Sequence, residues 1–410
     1  MLSLLMYYLK RPYHFFKTGL MRGLPAQVKN HFPQRRLKII LISGTDGKTT
    51  TCTLLHDILN AGSIKAGLIT TVSAKIGSKI IDTGLHVTAP EPQDLYTVLR
   101  QMVDAGCTHV VMEMTSHGAY QFRNWGITAW LGGITNITHE HFDYHINYQE
   151  YAKAKLQQFR GAQKVFFPEG DRSTPIAKKV LKSVLLSPYS NTTRIPKIIA
   201  TAIVSRFPEI YNRQNAILAT CIAQELNVPK ATIASAIASF GGVPGRMEQI
   251  ATSKSFRIFV DFAHTPNAIK SVLTHLKRQT NGRLIAVLGS AGLRDTSKRP
   301  IMGFNAAHIA DISLFTAEDP RTENVWTIIM QMKSQLHTLH NKVISISDRG
   351  TAIHFAITRI AMPGDTIAIL GKGHETSMCF GKHEYSWSDR DAVQKVLSTG
   401  EIPLLGNQIF

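Results

Sequence analysis

From residue 37 onward, short apolar runs rich in β-branched residues alternate with longer stretches of helical period. Residues 38–42 (KIILI) form an unbroken apolar run of strand length, followed by a glycine turn and a helix over about 49–61. The same pattern predicts strands at 108–112, 130–134 and 164–167, and a helix around 215–226. Gly241-Gly242-Val243-Pro244-Gly245 cannot continue a helix and marks a hinge. Beyond it a second series of strands is predicted at 257–261, 284–288, 312–316, 343–346 and 366–370. Alternation of this kind is the mark of an α/β fold with a mostly parallel sheet. There is no internal repeat and no low-complexity tract.

Composition changes this picture little, and charge more. At 410 residues, 44% hydrophobic and 18% charged, the chain is long enough for two or three folded domains. The cysteines Cys52, Cys107, Cys221 and Cys379 are isolated, which excludes a zinc ribbon or disulfide framework and suits the cytoplasm. Lysine and arginine outnumber acids 46 to 28, a net charge of +18 that favours an anionic partner. The basic residues are dispersed and no nucleic-acid-binding motif accompanies them, so nucleic acid is not the expected partner. Residues 1–37 mix Leu, Phe and Tyr with Lys10, Arg11, Lys17, Arg22, Lys29, Arg35 and Arg36. Lys10-Arg11-Pro12 interrupts the opening apolar run too early for a membrane span, but aromatics beside bases suit a helix lying on an acidic membrane surface. Packing of this segment on the domain behind it is the alternative.

The sharpest local signal is Ser43-Gly44-Thr45-Asp46-Gly47-Lys48-Thr49-Thr50, entered from a predicted strand and left by a helix. Backbone N–H groups and a helix N-terminus in that arrangement cradle phosphates. Lys48 would reach the terminal phosphates of ATP and the Thr49 hydroxyl would hold Mg²⁺. Ile42 stands where the usual G-x-x-x-x-G-K-[ST] loop has its first glycine. Glu113 lies at the carboxyl end of its strand, where open α/β sheets bind ligands.

G-T-D-G-K-T-T resembles the G-T-N-G-K-T-T loop of the Mur ligase superfamily. Residues 113–123 (EMTSHGAYQFR) resemble the E-V-S-S-H-x-L-x-Q-x-R run of the tripeptide synthetases of that family. Residues 136–145 (NITHEHFDYH) are similar to N-I-x-x-D-H-L-D-Y-H, and Tyr151-Ala152-Lys153-Ala154-Lys155 to Y-x-x-A-K. Gly245-Arg246-Met247-Glu248, Asp261-Phe262-Ala263-His264-Thr265-Pro266 and Gly371-Lys372-Gly373-His374-Glu375 follow in the family's order. The resemblance implies a basic aromatic segment at 1–37, a P-loop central domain at 38–240 and a Rossmann-like α/β domain at 241–410.

It also implies an ATP-dependent ligase that activates a carboxylate as an acyl-phosphate and joins it to an amino acid. Two magnesium sites are expected, one held by Thr49 and Glu113, the other reached by Glu113 with His141. Lys155 matches the lysine that is carbamylated in the family; Lys153 competes, and the spacing from Tyr151 favours Lys155. Asn136, Asn212, Asn215, Arg246, Asp261 and His264 would lie near the nucleotide, with helix capping the alternative for the two later asparagines and packing for His264. Arg246 and Asp261 would come from across the hinge, so that closure assembles the site and excludes water.

Thr88-Ala89-Pro90 resembles a T-T-P substrate motif with one hydroxyl missing; Thr88, Thr115, Ser116, Gln121 and Arg123 are the expected muramoyl-peptide contacts. Glu318-Asp319-Pro320-Arg321 resembles D-N-P-R of ligases selecting meso-diaminopimelate, whose distal carboxylate suits a guanidinium fork. Arg294, Asp319, Arg321, Gly371 and Glu375 therefore form the expected amino-acid site, with Asp319 an anion in place of an amide. The family's separate UDP-gripping domain has no counterpart in residues 1–38, so UDP is expected to be held weakly, by a partner, or replaced by presentation at the cytoplasmic face of a membrane. A monomer is expected. A folylpolyglutamate synthase-like enzyme, another peptide ligase of the superfamily and a non-catalytic nucleotide-binding regulator are the alternatives; Lys48, Glu113, His141 and Lys155 are all present, which argues against the last.

Overall fold

The computed structural model describes residues 2–81, 90–138 and 140–405. It divides into two compact units, Met1–Thr138 with His145–Gly241, and His139–Tyr144 with Gly242–Phe410.

The first unit is built on β1 Lys38–Ser43, β2 Ala66–Ile69, β3 Ala74–Ile76, β4 Lys79–Ile81, β5 His109–Glu113, β6 Leu131–Ile134, β7 Lys164–Pro168 and β8 Leu185–Tyr189. Their order is β4-β3-β2-β5-β1-β6-β7-β8, parallel except for the antiparallel β3 and β4. The predicted strands near β1, β5, β6 and β7 form within a residue or so of their expected bounds. β2 reads Ala-Gly-Leu-Ile, whose small residues dilute the apolar signal, and β8 is a half-exposed edge strand; neither was predicted. The helix expected to begin near 215 runs Ile210–Glu225, with Glu209 at its N-cap position. Asn212 and Asn215 therefore lie inside it, and the capping alternative is wrong.

Before β1 the chain is helical over Leu2–His14, wider-wound over Phe15–Gly23 and helical again over Leu24–Lys29. Pro12, inside the first helix, lacks the N–H that a regular ladder would use.

The second unit holds β9 Glu248–Ile250, β10 Arg257–Asp261, β11 Leu284–Leu288, β12 Ile312–Phe315, β13 Val343–Ser345 and β14 Thr366–Leu370. The order is β13-β12-β11-β14-β10-β9, with only β9 antiparallel. β11 and β14 are buried at every residue, which is why each reads as an unbroken apolar run rather than an alternating one. Ile258, Val260, Ile285, Val287, Ile367 and Ile369 form the core face. Beneath it, the fully buried Arg349 pairs with Asp389 at 2.6 Å and donates to the carbonyls of Ala317 and Leu370. A hairpin, β15 Ser377–Phe380 and β16 His383–Ser386, stands apart from the sheet.

Candidate active site

The register of the first sheet explains where its chemistry lies. β1 runs between β5 and β6 with Ile42 opposite Glu113 and Ser43 opposite Ile134, so the loop leaving β1 is flanked by the carboxyl ends of both neighbours. That loop needs its glycines. Gly47 has φ +82°, and a Cβ there would lie 2.3 Å from Asn215 Oδ1; a Cβ on Gly44 would lie 1.9 Å from Thr135 Oγ1. Asn136 braces the loop from the β6 side: its carbonyl accepts from Thr45 N at 2.8 Å, its Oδ1 from Asp46 N at 3.1 Å, and its Nδ2 donates to the Asp46 carbonyl. From the helix side, Asn215 Nδ2 donates to Asn212 Oδ1, and Asn212 Nδ2 to Glu209.

Around this loop the structure gathers Lys48, Thr49, Glu113 and Lys155. The Thr49 hydroxyl donates to Glu113 Oε2 at 2.8 Å, and Lys48 Nζ lies 3.8 Å from Oε1 while donating to the Thr45 carbonyl. Thr71, not singled out by sequence, also directs its N–H and hydroxyl at Glu113 Oε2. A buried carboxylate beside a buried hydroxyl is an all-oxygen donor pair, which fits Mg²⁺ and not a soft metal. Thr50 follows on the first turn of the helix Lys48–Ala61.

Lys155 is 2% exposed, donates to the Gly44 carbonyl at 2.5 Å and lies over the Tyr151 ring. Lys153 is instead part-exposed and paired with Glu150 at 2.8 Å. Two residues apart on one helix, the two lysines face different surroundings.

Sequence reasoning did not single out a cluster of rings behind the loop. Tyr7 of the leading helix stacks on Tyr120 at 4.4 Å and hydrogen-bonds His145 Nδ1 at 2.9 Å; Tyr120 in turn donates to the Tyr7 carbonyl. The His145 ring lies 5.6 Å from His117 and 5.5 Å from Tyr151, and the Tyr151 hydroxyl meets Thr45 Oγ1 at 3.1 Å. Burial, with help from His117 and Lys155, pushes the His145 imidazole down to about 2, so it stays neutral. The signal was present in the sequence, as His145 closes the 136–145 motif, but its partner lies 138 residues away. Nearby, Tyr7, Arg11, Tyr120, Trp125, Lys153 and Arg160 line a cavity of about 290 Å³ that takes in none of the predicted site residues.

Of the expected muramoyl-peptide contacts, Thr88 lies outside the described residues. Thr115 caps the short helix Ser116–Tyr120 by accepting from Gly118 N. Ser116 Oγ is buried with no hydrogen-bond partner among the described residues, as a group awaiting a ligand would be. Arg123 binds Gln121 at 2.9 Å and Glu91 at 3.3 Å.

The remaining candidates belong to the second unit, and all but Arg246 and His141 lie at or after the carboxyl ends of its parallel strands. Asp261, ending β10, accepts from Met247 N at 2.6 Å and Ala263 N at 2.7 Å, so its carboxylate ties the turn after the hinge to its own loop. Arg246 lies over the Phe262 ring at 4.4 Å, which also touches His264 and His374. His264 Nδ1 pairs with the Phe262 carbonyl. His141, at φ +59°, follows Glu140, whose buried carboxylate binds Lys298 at 3.0 Å; both groups sit in this second unit. Asp319 is held by Lys372 Nζ at 2.9 Å and Cys379 N at 3.0 Å, so its added negative charge is balanced within the chain. Lys372 also pairs with Glu375 at 2.5 Å. Arg321, at φ +52°, donates from Nη1 to the Gly292 carbonyl at 2.6 Å; Arg294 is exposed on the loop after β11. Glu318, fully buried against Gly371, is pushed up to about 7 by burial, with Arg349 and Lys298 opposing.

The family comparisons meet this geometry directly. The Mur ligase middle domain matches residues 42–222, and the Mur ligase, glutamate ligase domain matches residues 245–373. The chain belongs to the Mur ligase family. Its match to the UDP-N-acetylmuramoyl-L-alanyl-D-glutamate--2,6-diaminopimelate ligase of Caldanaerobacter subterraneus subsp. tengcongensis is 31% identical and covers 93% of this chain and 83% of that protein. A UDP-N-acetylmuramyl-tripeptide synthetase of Roseiflexus sp. is 32% identical over 89% of this chain and 79% of its own length. Among solved structures, a diaminopimelate-adding ligase matches at 25% identity and TM-score 0.56 over 92% of this chain and 83% of that one. A Mycobacterium tuberculosis folylpolyglutamate synthase with ADP matches at 17% identity and TM-score 0.70, over 87% and 92%, and shares the fold. As a Mur ligase, the chain is an ATP-dependent acid–amino-acid ligase.

Proposed function

We infer that this Mur ligase joins meso-diaminopimelate to the free carboxylate of UDP-N-acetylmuramoyl-L-alanyl-D-glutamate in cell-wall synthesis. The observation that carries the reading is the grouping of Lys48 with the buried Thr49 and Glu113 at the mouth of the phosphate loop, in a chain with relatives at 31–32% identity that bear names of that activity. The substrate carboxylate attacks the γ-phosphorus of ATP, the bond to the β-phosphate oxygen breaks and ADP leaves. The amine then attacks the acyl carbon, the C–N bond forms, and phosphate departs as the nitrogen loses its proton.

In this reading the loop N–H groups and Lys48 neutralise the phosphates, with Lys48 turning from the Thr45 carbonyl to do so. Thr49 and Glu113 would hold Mg²⁺, which would offset repulsion between carboxylate and triphosphate; Lys155, and His141 as the sequence motif implies, are the further metal ligands we propose. An ammonium at Lys155 would oppose a cation, so we propose that Lys155 is carbamylated; its burial beside the Gly44 carbonyl supports this over the part-exposed Lys153. Arg321 and Arg294 hold the distal carboxylate of diaminopimelate. Gly371 and Glu375 shape the rest of that pocket, and Ser116, Gln121 and Arg123 bind the dipeptide donor.

The test is amino-acid-dependent phosphate release with the muramoyl-dipeptide donor and a panel containing meso-diaminopimelate, lysine and glutamate. Release with diaminopimelate, accompanied by the ligated tripeptide, is the expected result. Turnover only with a folate donor and glutamate would replace this reading by that of the fold's folylpolyglutamate synthases, and release independent of any amino acid would refute a ligase.

A further inference from the structure

The leading helical segment has two opposed faces, and only one of them is used by the fold. At about 100° per residue, Tyr7, Arg11 and His14 fall on one side of the helix Leu2–His14, where Tyr7 is buried against Tyr120 and His145. Met6, Leu9, Tyr13 and Phe16 fall on the opposite side. Leu9, Tyr13 and Phe16 are 60%, 57% and 59% exposed. The exposed apolar positions continue at Met21 within the wider-wound turns and at Leu24 and Val28 in the helix after them. So many large exposed side chains within one leading segment are more than the scatter of single apolar residues that any surface carries.

Their flanks are basic. Lys10, Lys17 and Lys29 are exposed beside them, and Arg22 makes only an exposed 3.3 Å contact with Glu91. No carboxylate occurs in the sequence before Asp46. A helix with cations edging an unpartnered apolar face, already fixed to its domain by the other face, has the chemistry of a surface-lying membrane element. Phosphates of a nucleic acid would satisfy the lysines but leave Leu9, Tyr13 and Phe16 in water. We propose that this outer face docks the enzyme onto an anionic phospholipid surface, the apolar stripe entering the headgroup boundary and the lysines meeting lipid phosphates. The proposal is independent of which amino acid the ligase adds.

The experiment is co-sedimentation of the full chain with phosphatidylglycerol-rich vesicles and with vesicles of phosphatidylcholine alone. The chain should pellet with the first and not the second, and less as salt rises. Leu9→Ser with Phe16→Ser should weaken partitioning about tenfold, and Lys10→Gln with Lys17→Gln by about tenfold or more, each near-surface charge being worth roughly a fivefold change. ATP-dependent turnover without vesicles should be unchanged in both double variants, which separates this test from that of the ligase reading. No pelleting with anionic vesicles, equal pelleting with neutral ones, or double variants that bind like the parent would overturn the proposal. Tight binding of polyglutamate or duplex DNA that survives Leu9→Ser with Phe16→Ser would also overturn it, in favour of an acidic macromolecule. A variant that loses basal turnover would show that the stripe is needed by the fold, and would overturn it too.

Discussion

Lys153 and Lys155 have the same chemistry and nearly the same address, so what distinguishes them is burial. Lys155 Nζ is enclosed between the Tyr151 ring and the Gly44 carbonyl, whereas Lys153 meets Glu150 at the surface. Lys155→Ala is expected to lower turnover at least about a hundredfold, on the scale of removing one preorganised electrostatic group from an active site, and Lys153→Ala by less than about threefold. Labelled bicarbonate should give a carbamate NMR signal that is lost in Lys155→Ala and kept in Lys153→Ala; its presence in both would refute the assignment. Tyr7 supplies a second residue-scale prediction. Its phenol, pushed up by burial, stays protonated and is hydrogen-bonded to His145 Nδ1. Tyr7→Phe should cost about 1–2 kcal/mol in urea unfolding, because a buried hydrogen bond to the imidazole is lost. Through His145, Tyr151 and Thr45 it should also change the KM for ATP more than an outward-facing change such as Tyr13→Phe does. The phosphate loop and the position of Glu113 beside it were legible as local motifs. Tyr7 and Thr71 were not, since each acts through a contact made only by the tertiary fold.

Elements were legible where burial was complete on both faces. β10, β11 and β14 formed at their predicted bounds because their apolar runs, Ile-Phe-Val, Leu-Ile-Ala-Val-Leu and Ile-Ala-Ile-Leu, are short and allow few other readings. The hairpin β15–β16, the short strand β3 and the edge strands β4 and β9 were not predicted, because short or half-exposed strands carry weak periodicity. β6, Leu-Gly-Gly-Ile, is the instructive case, since two glycines should weaken a strand. They are there to admit neighbours. A Cβ at Gly132 would lie 2.4 Å from the Phe159 ring, and one at Gly133 would lie about 3 Å from Ile42, Leu218 and Ile222. Gly132→Val is expected to destabilise the first unit by about 1–3 kcal/mol or more, read as a lowered urea midpoint. A midpoint equal to the parent's would mean that Phe159 can move aside and that β6 is not held by close packing.

For the whole molecule, two cores imply two separate responses to acid, so a single unfolding midpoint does not describe the chain. In the first unit three described histidines move the same way. Burial lowers His14 and His109, and lowers His145 from 6.5 to about 2. A base depressed in the folded state contributes stability above its unfolded value and loses it as pH falls below 6.5, since only the unfolded chain then takes up the proton. For His145 alone the loss is about 1.4 kcal/mol per pH unit. The second unit contains an opposing pair. His374 is lowered to about 3 by burial, with Arg246 and Lys372 adding to it, while Glu318 is raised from 4.5 to about 7. A raised carboxyl contributes stability that is complete below 4.5 and lost as pH rises through 7. Between 4.5 and 6.5 the folded unit therefore keeps one extra proton on Glu318 and forgoes one on His374, and the two slopes cancel. Hydrogen exchange should show protection of β1, β5 and β6 falling from pH 6.5 to 4.5 while that of β10, β11 and β14 stays nearly level. Glu318→Gln removes one side of the balance. The second unit should then become acid-sensitive with a slope of about 1.4 kcal/mol per pH unit, and should be more stable than the parent above pH 7 by on the order of 3 kcal/mol. A variant whose β10, β11 and β14 amides keep the parent's flat profile would show that Glu318 does not hold that proton.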